Sequence, residues 1–165
     1  MVDAAAIAKS LGLPPEATVL FIAMLPVFEL RGAIPVAMGV YSMPASKAYL
    51  LGVLGNIVPV VPLLLLLRPV SEFLSKHSRL FEGFFDWLFE RTRRKMESRY
   101  EKYGALALVP FVAIPLPVTG AWTGCAAAFV FGIRFRYSFP AIVGGITVSG
   151  FVVTAASAGV AFTFF

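Results

Sequence analysis

Two oppositely charged side chains stand two positions apart in a long apolar stretch. Glu29 and Arg31 are the charged residues of segment 17–46, and prolines and glycines flank them. If the segment lies in a membrane, each charge costs about 2.5–3.5 kcal/mol to insert, so it is expected to face protein or water and to serve a function. We predict that Glu29 couples proton movement and that Arg31 binds an anionic group such as a phosphate or carboxylate. The structural alternatives are an ion pair that fixes a helix break, or two side chains that reach the membrane surface.

A second polar run interrupts another apolar stretch, segment 104–133. Two prolines break any helix there, and hydroxyls, backbone amides and an indole ring follow them. The freed backbone and these side chains are predicted to line a substrate site. Gly120 and Gly124 form a G-x-x-x-G step, for which close helix packing is the alternative explanation. The predicted substrate-binding residues of this run are Pro115, Pro117, Thr119, Trp122 and Thr123.

Other polar residues lie within the remaining apolar stretches. Asn56 is a lone amide in segment 48–67 and joins the predicted substrate-binding residues, with a hydrogen bond to a neighbouring helix as the alternative. Hydroxyls near the end of the chain are expected to pack or to bond back to their own helix. These are Thr147, Ser149, Thr154 and Ser157.

The sequence offers no catalytic set. His77 is the sole histidine and Cys125 the sole cysteine, so a multi-histidine metal site and an internal disulfide are excluded. No nucleophile, base and orienting group occur together. We therefore predict neither enzyme activity nor a metal or cofactor.

Composition indicates an integral membrane protein. Of the 165 residues, 59% are hydrophobic and 14% are charged, and the mean hydropathy is +0.85. Soluble domains carry about 25% charged residues, which this chain lacks. The net charge of +5 does not indicate nucleic acid, because the basic excess lies beside apolar segments, as at a cytoplasmic membrane face.

Segment lengths predict an all-α membrane fold. Segments 48–67 and 138–160 each fit one transmembrane helix, for which about 20 apolar residues are needed. Segments 17–46 and 104–133 are longer and broken in the middle, so each is predicted to be a re-entrant helical hairpin. The rest of the single membrane domain is an N-terminal arm, 1–16, and an amphipathic basic segment, 68–103.

Charge placement gives an orientation. With 68–103 in the cytoplasm together with Arg134 and Arg136, the cytoplasmic side holds most of the basic residues. Each half is then a hairpin followed by a transmembrane helix, and the two halves face opposite ways, as in an inverted repeat. Faint internal similarity agrees, because placing Gly39 over Gly132 also places Asn56 over Ser149.

Two sequence strings resemble a known family. Residues 28–35 read FELRGAIP and residues 115–124 read PLPVTGAWTG, and both are similar to strings of the small multi-drug export protein family. The resemblance covers about residues 17–160 and implies a small prokaryotic inner-membrane protein. Through distant DedA/VTT relatives it also implies proton-dependent transport, or flipping of lipids such as polyprenyl phosphates, by membrane-embedded acidic and arginine residues. Glu29 and Arg31 match that pattern, whereas the second hairpin carries no acidic residue.

These observations predict a multi-pass inner-membrane transporter that is proton-coupled. Its substrate is expected to be a small anionic or amphipathic molecule or a lipid, with Glu29 as the proton site and Arg31 as the anion ligand. The alternatives are a membrane scaffold without turnover and a lipid scramblase that needs no gradient. The expected partners are the lipid bilayer and the substrate. Small-residue faces at Gly120/Gly124 and Ala155/Gly159 permit a homodimer.

Overall fold

The computed structural model describes residues 12–77, 100–114 and 119–164. Every regular element in these ranges is an α-helix, which confirms the prediction of an all-helical chain. Residues 1–11 of the predicted arm 1–16 and residues 78–99 of the amphipathic segment 68–103 lie outside the described residues. The end of the arm, from Pro15, belongs to the first helix. The helices are α1 (Pro15–Met24), α2 (Glu29–Gly39), α3 (Ala45–Ile57), α4 (Val60–His77), α5 (Tyr100–Ala113), α6 (Ala121–Val130) and α7 (Phe135–Phe164).

Two helical stretches are long and apolar enough to cross a membrane. They are Ala45–Leu67, with 23 residues, and Phe135–Gly159, with 25 residues. Only 33% and 28% of their most apolar 18 residues are buried, and large side chains such as Phe151, 70% exposed, point outward. The core helix of a soluble protein buries its apolar side chains, so these exposed apolar faces are those of a chain surrounded by lipid.

The first of these stretches covers the predicted transmembrane segment 48–67, but the helix is interrupted within it, which the sequence did not predict. α3 ends at Ile57 and α4 begins at Val60. Pro59 is the cause, because it has no N–H to donate to the carbonyl of Gly55 four residues earlier. The break therefore places backbone carbonyls of α3 at a point where the helix does not satisfy them.

Helices α1 and α2 form a hairpin beside α3. At its outer end Lys47 Nζ lies 2.6 Å from Glu16 Oε1, which joins the start of α3 to the start of α1. Ala23, one residue before the end of α1, packs so closely on Gly55 that a Cβ added to Gly55 would lie 2.7 Å from the Cβ of Ala23. α1 and α3 thus run side by side in the same direction, and α2 runs back to the end where both start.

The second half is built from the same kinds of contact. A Cβ added at Gly145 of α7 would lie 2.6 Å from Val112 Cβ of α5, and one added at Gly124 of α6 would lie 2.6 Å from Val112 Cγ2. Gly145 is the eleventh residue of α7, just as Gly55 is the eleventh of α3. In both halves a glycine in the long helix thus lets the preceding hairpin approach closely.

The halves meet along α3 and α7 and at the ends of their hairpins. A Cβ added at Gly150 of α7 would lie 2.7 Å from Val53 Cγ2 and 3.1 Å from Tyr49 Cε2, both on α3. Helix α2 also packs against α7, and α4 packs against α6. This crossed arrangement brings residues 24–31 of the first hairpin against residues 119–122 of the second.

Candidate functional site

Glu29 lies at the turn of the first hairpin in an unusual backbone conformation. Its φ is +49°, in the left-handed region, and its amide donates to the Leu25 carbonyl at 2.9 Å. This conformation costs a residue with a Cβ roughly 1–2 kcal/mol, and residues in strained backbone conformations cluster at functional sites. The residue is only 5% exposed, so the chain holds a carboxyl group inside the protein at this cost.

The Glu29 carboxylate lies at the N-terminus of α6, in the opposite hairpin. The Trp122 amide, in the first turn of α6, donates to Glu29 Oε1 at 3.4 Å. The N-cap of α6 is Gly120, which has no side chain to cap the helix. The first amides of a helix have no partner within it and carry partial positive charge, so the carboxylate of Glu29 takes the place of the missing cap.

Gly120 makes this approach possible. Its φ is +140°, and a Cβ added there would lie 2.6 Å from Glu29 Oε1 and nearer still to Oε2. Close helix packing of Gly120 and Gly124 as one step was the alternative explanation of this run, but the two glycines have different neighbours in the structure. Gly124 packs on Val112, whereas Gly120 faces the carboxylate. The signal in the sequence was a glycine directly before an apolar helix that lacks a Ser, Thr, Asp or Asn cap.

Arg31 also contacts the second hairpin. Its Nη2 donates to Thr119 Oγ1 at 3.1 Å, and Thr119 Oγ1 donates in turn to the Ile114 carbonyl at 2.7 Å. The sequence left open whether Glu29 and Arg31 pair with each other or elsewhere. In the structure each bonds to a different part of the opposite hairpin tip, which brings a cation and a carboxylate to one junction.

Trp122 borders the junction on the side that faces α1 and α4. Its indole Nε1 donates to the Met24 carbonyl at 3.2 Å, at the last residue of α1. The ring also lines a cavity of about 380 Å³ whose other walls are apolar. Trp122 therefore lies between the polar junction and an apolar space, as the amphipathic indole favours. The other residues of that cavity are Pro59, Pro62, Leu63, Leu66, Leu67 and Val70.

The remaining predicted residues fall into three groups. Thr123 Oγ1 donates to the Gly120 carbonyl at 3.3 Å, within its own hairpin. Pro115 and Pro117 lie outside the described residues, although the helices on either side end at Ala113 and begin again at Ala121. Asn56 is 1% exposed on α3, and its Oδ1 has no hydrogen-bond partner within the described ranges, unlike the interhelical bond offered as the alternative.

The hydroxyls of α7 differ in their hydrogen bonding. Thr147 Oγ1 donates to the Val143 carbonyl at 2.8 Å and Thr154 Oγ1 to the Gly150 carbonyl at 2.7 Å, as expected for back-bonding. Ser149 is 2% exposed, and its Oγ has no partner in the part of the chain that the structure describes. Within those same ranges no three His, Cys, Asp or Glu side chains come together as a metal site.

Comparison with known proteins agrees with this architecture. A family model described as "Putative small multi-drug export protein" matches residues 29–152, from the buried carboxyl to the second transmembrane stretch. No curated protein and no solved structure matches the chain. Because the family match covers most of the chain, the protein belongs to the small multi-drug export protein family of small membrane proteins.

Proposed function

We propose that the protein is a proton-coupled membrane transporter that works at the junction of its two hairpin tips. The observation that carries the proposal is that Glu29 and Arg31, from one hairpin, both contact the other hairpin at residues 119–122. A titratable acid and an anion-binding cation thus lie at the contact between the two hairpin tips, and the proposal requires this contact to open when a substrate passes. The substrate class that fits them is an anionic or amphipathic molecule.

Element lengths support a re-entrant arrangement. α1 and α2 have 10 and 11 residues, or about 15 Å each, half of the roughly 30 Å membrane core. A hairpin of that length that starts at one surface ends near mid-membrane. In each half a glycine of the long helix lets the preceding hairpin approach closely, which supports an inverted repeat in which the two tips meet from opposite sides. Gly55 and Gly145 are 90 positions apart, so this register differs from the 93-residue register of Gly39 and Gly132.

Protonation supplies the coupling step. An ionised Glu29 accepts a charge-assisted hydrogen bond from the first turn of α6, whereas a neutral carboxyl is a weaker acceptor and has no attraction to the helix dipole. Proton binding therefore loosens the junction between the tips. An anionic group that reaches Arg31 displaces Thr119 from the guanidinium, so substrate and proton act on the same contact. The two halves then tilt about the tips to change the side of access.

A gradient experiment tests this proposal. The protein is reconstituted in vesicles, and a short-chain fluorescent phosphatidic acid serves as the amphipathic anion, its sidedness read by chemical quenching. We expect an imposed pH gradient to accelerate its movement in the wild type and to have no effect in Glu29→Gln, which cannot exchange a proton. Glu16→Gln is the matched control, because Glu16 is an exposed glutamate at the outer end of α1. Equal gradient responses in wild type and Glu29→Gln would remove the proton role.

The apolar cavity beside Trp122 favours one rival, a scramblase. A cavity with apolar walls next to a polar junction offers separate surfaces for a lipid tail and a headgroup. A scramblase would move the same fluorescent lipid at equal rates with and without a gradient. Movement that is fast without a gradient and unchanged in Glu29→Gln would favour the scramblase over the coupled transporter.

A further inference from the structure

We propose that Asn56 and Ser149 form a binding site for a monovalent alkali cation, made of different residues from the Glu29–Arg31 junction. The two side chains are 1% and 2% exposed, yet Asn56 Oδ1 and Ser149 Oγ have no hydrogen-bond partner within the described residues. Leaving a buried polar atom unsatisfied costs roughly 1–3 kcal/mol. Two such oxygens, one on each transmembrane stretch, therefore indicate a ligand that they share.

The helix crossing places the two residues near one point. α3 and α7 touch where Gly150 meets Val53, at 2.7 Å for an added Cβ. Ser149 directly precedes Gly150, and Asn56 follows Val53 by one helical turn. Both side chains are thus within about one turn of the same crossing.

Helical periodicity places Asn56 between two packed faces of α3. The glycines Gly52 and Gly55 face the first hairpin, while Val53 faces α7. At 100° per residue, Asn56 falls between these faces, on the seam where the first hairpin, α3 and α7 come together. Ser149 holds the equivalent place on α7, between Gly145, which faces α5, and Gly150, which faces α3.

The two atoms without partners at this crossing are oxygens, which favours a cation as their ligand. Pro59 gives the Gly55 carbonyl no helical N–H, and this carbonyl directly precedes Asn56, so it offers a third oxygen. Neutral oxygens at a broken membrane helix are the groups that coordinate sodium ions in transporters.

A binding experiment tests the site without reference to any transported substrate. The thermal unfolding midpoint of the purified full-length protein is followed while sodium chloride replaces choline chloride at constant ionic strength. Because a ligand of the folded state raises its stability by mass action, we expect a saturable rise in the midpoint with sodium. Choline, too large for a buried site between two helices, gives the baseline.

Variants assign the response to the two oxygens. Asn56→Leu keeps the branch at Cγ, removes the oxygen and enlarges the side chain somewhat, so we expect it to lose the sodium response, and Ser149→Ala tests the site without added volume. Ser149→Ala should raise the sodium concentration needed for half the effect by about tenfold, the affinity change expected for one lost polar contact. Ser157→Ala is the matched control, because Ser157 is a half-buried hydroxyl on the same helix, and it should keep the wild-type response.

Three outcomes would overturn the inference. They are equal midpoints in sodium and choline for the wild type, a full sodium response in Asn56→Leu, and a Ser149→Ala response unchanged from that of the wild type. The first would mean that these oxygens hold water only. Because the readout requires no transport, it can fail while Glu29→Gln still abolishes the proton response, and the two proposals stay distinguishable.

Discussion

The two hairpin tips use different chemistry to build one junction. The first tip contributes formal charges, the Glu29 carboxylate and the Arg31 guanidinium. The second contributes neutral groups. The helix N-terminus that follows Gly120 donates to the carboxylate, and the Thr119 hydroxyl accepts from the guanidinium. The buried charge of Glu29 is thus stabilised by dipoles of the opposite half, and the polar groups of each tip find hydrogen-bond partners on the other.

This division has a consequence for coupling. The hydrogen bond to Glu29 comes from a helix terminus that belongs to the other half, whereas the charge of Arg31 attracts the carboxylate from its own half. A change in the charge of Glu29 therefore alters a contact between the halves.

Gly120→Ala is expected to be the most damaging substitution at the junction. The added Cβ would meet the Glu29 carboxylate, and φ at +140° is unfavourable for alanine, so we expect a loss of about 3 kcal/mol in the free energy of unfolding. Gly132→Ala is the matched control, because Gly132 also has a positive φ, +62°, but no atom within 4 Å of an added Cβ. That control should lose only about 1 kcal/mol. The measurement is denaturant unfolding in detergent.

A companion double variant locates the cause. Shortening Glu29 in Glu29→Ala removes the carboxylate that the new Cβ meets, so Gly120→Ala combined with Glu29→Ala should cost less than the two changes added together. Simple additivity would show that Gly120 is needed for its backbone conformation alone. Additivity would thus contradict a contact between the Glu29 carboxylate and the second tip.

The Arg31–Thr119 contact should contribute less to the free energy of unfolding than Gly120→Ala removes. Arg31→Met and Thr119→Val together should show a coupling free energy of about 1 kcal/mol in a double-mutant cycle, because the donor is charged but the site is only partly buried. Thr123→Val is the control partner for Arg31→Met, since Thr123 bonds within its own hairpin. It should show no coupling.

A third pairing tests the scaffold alternative. If Glu29 and Arg31 served only to neutralise each other, removing both in Glu29→Gln with Arg31→Met would restore the stability that each single change loses. Their separate partners on the second tip predict the opposite, with the two losses adding. Restoration by the double change would support a structural ion pair and contradict the junction.

The sequence was sufficient for the charged half of the junction and insufficient for the neutral half. Glu29 and Arg31 were recognisable because a charge in an apolar stretch is expensive wherever it lies. Gly120 was not, since its role depends on a carboxyl group 91 residues away in the chain. A charged side chain is visible in the sequence as a residue type. The N-terminus of a helix is made of backbone amides, and its partner is known only from the fold.

The transmembrane stretches show the same limit. Their lengths and apolar character were readable from about 20 uncharged residues, and the structure has helices there. The break before Val60 was missed because Pro59 stands in a run of leucines and valines that satisfies every rule for one span. Whether a proline ends a helix or only bends it depends on which groups donate hydrogen bonds to the carbonyl that it leaves without a partner. Those donors belong to other segments of the chain.

The smallest expected effect is at the outer end of the first hairpin, where both groups are charged side chains. The Lys47 ammonium, which donates a hydrogen bond to the carboxylate, lowers the pKa of Glu16 from its ordinary value. A lowered pKa means that the pair stabilises the fold above the ordinary value and that this contribution disappears as the pH falls through the lowered one. Wild type and Lys47→Met should therefore differ slightly in unfolding midpoint at neutral pH and agree in acid. Molar salt should also abolish this difference, because both side chains are 46% exposed. The partly buried Arg31–Thr119 coupling should stay largely intact, because its acceptor is a neutral hydroxyl. Equal salt sensitivity at the two places would mean that water reaches the junction as freely as it reaches the surface.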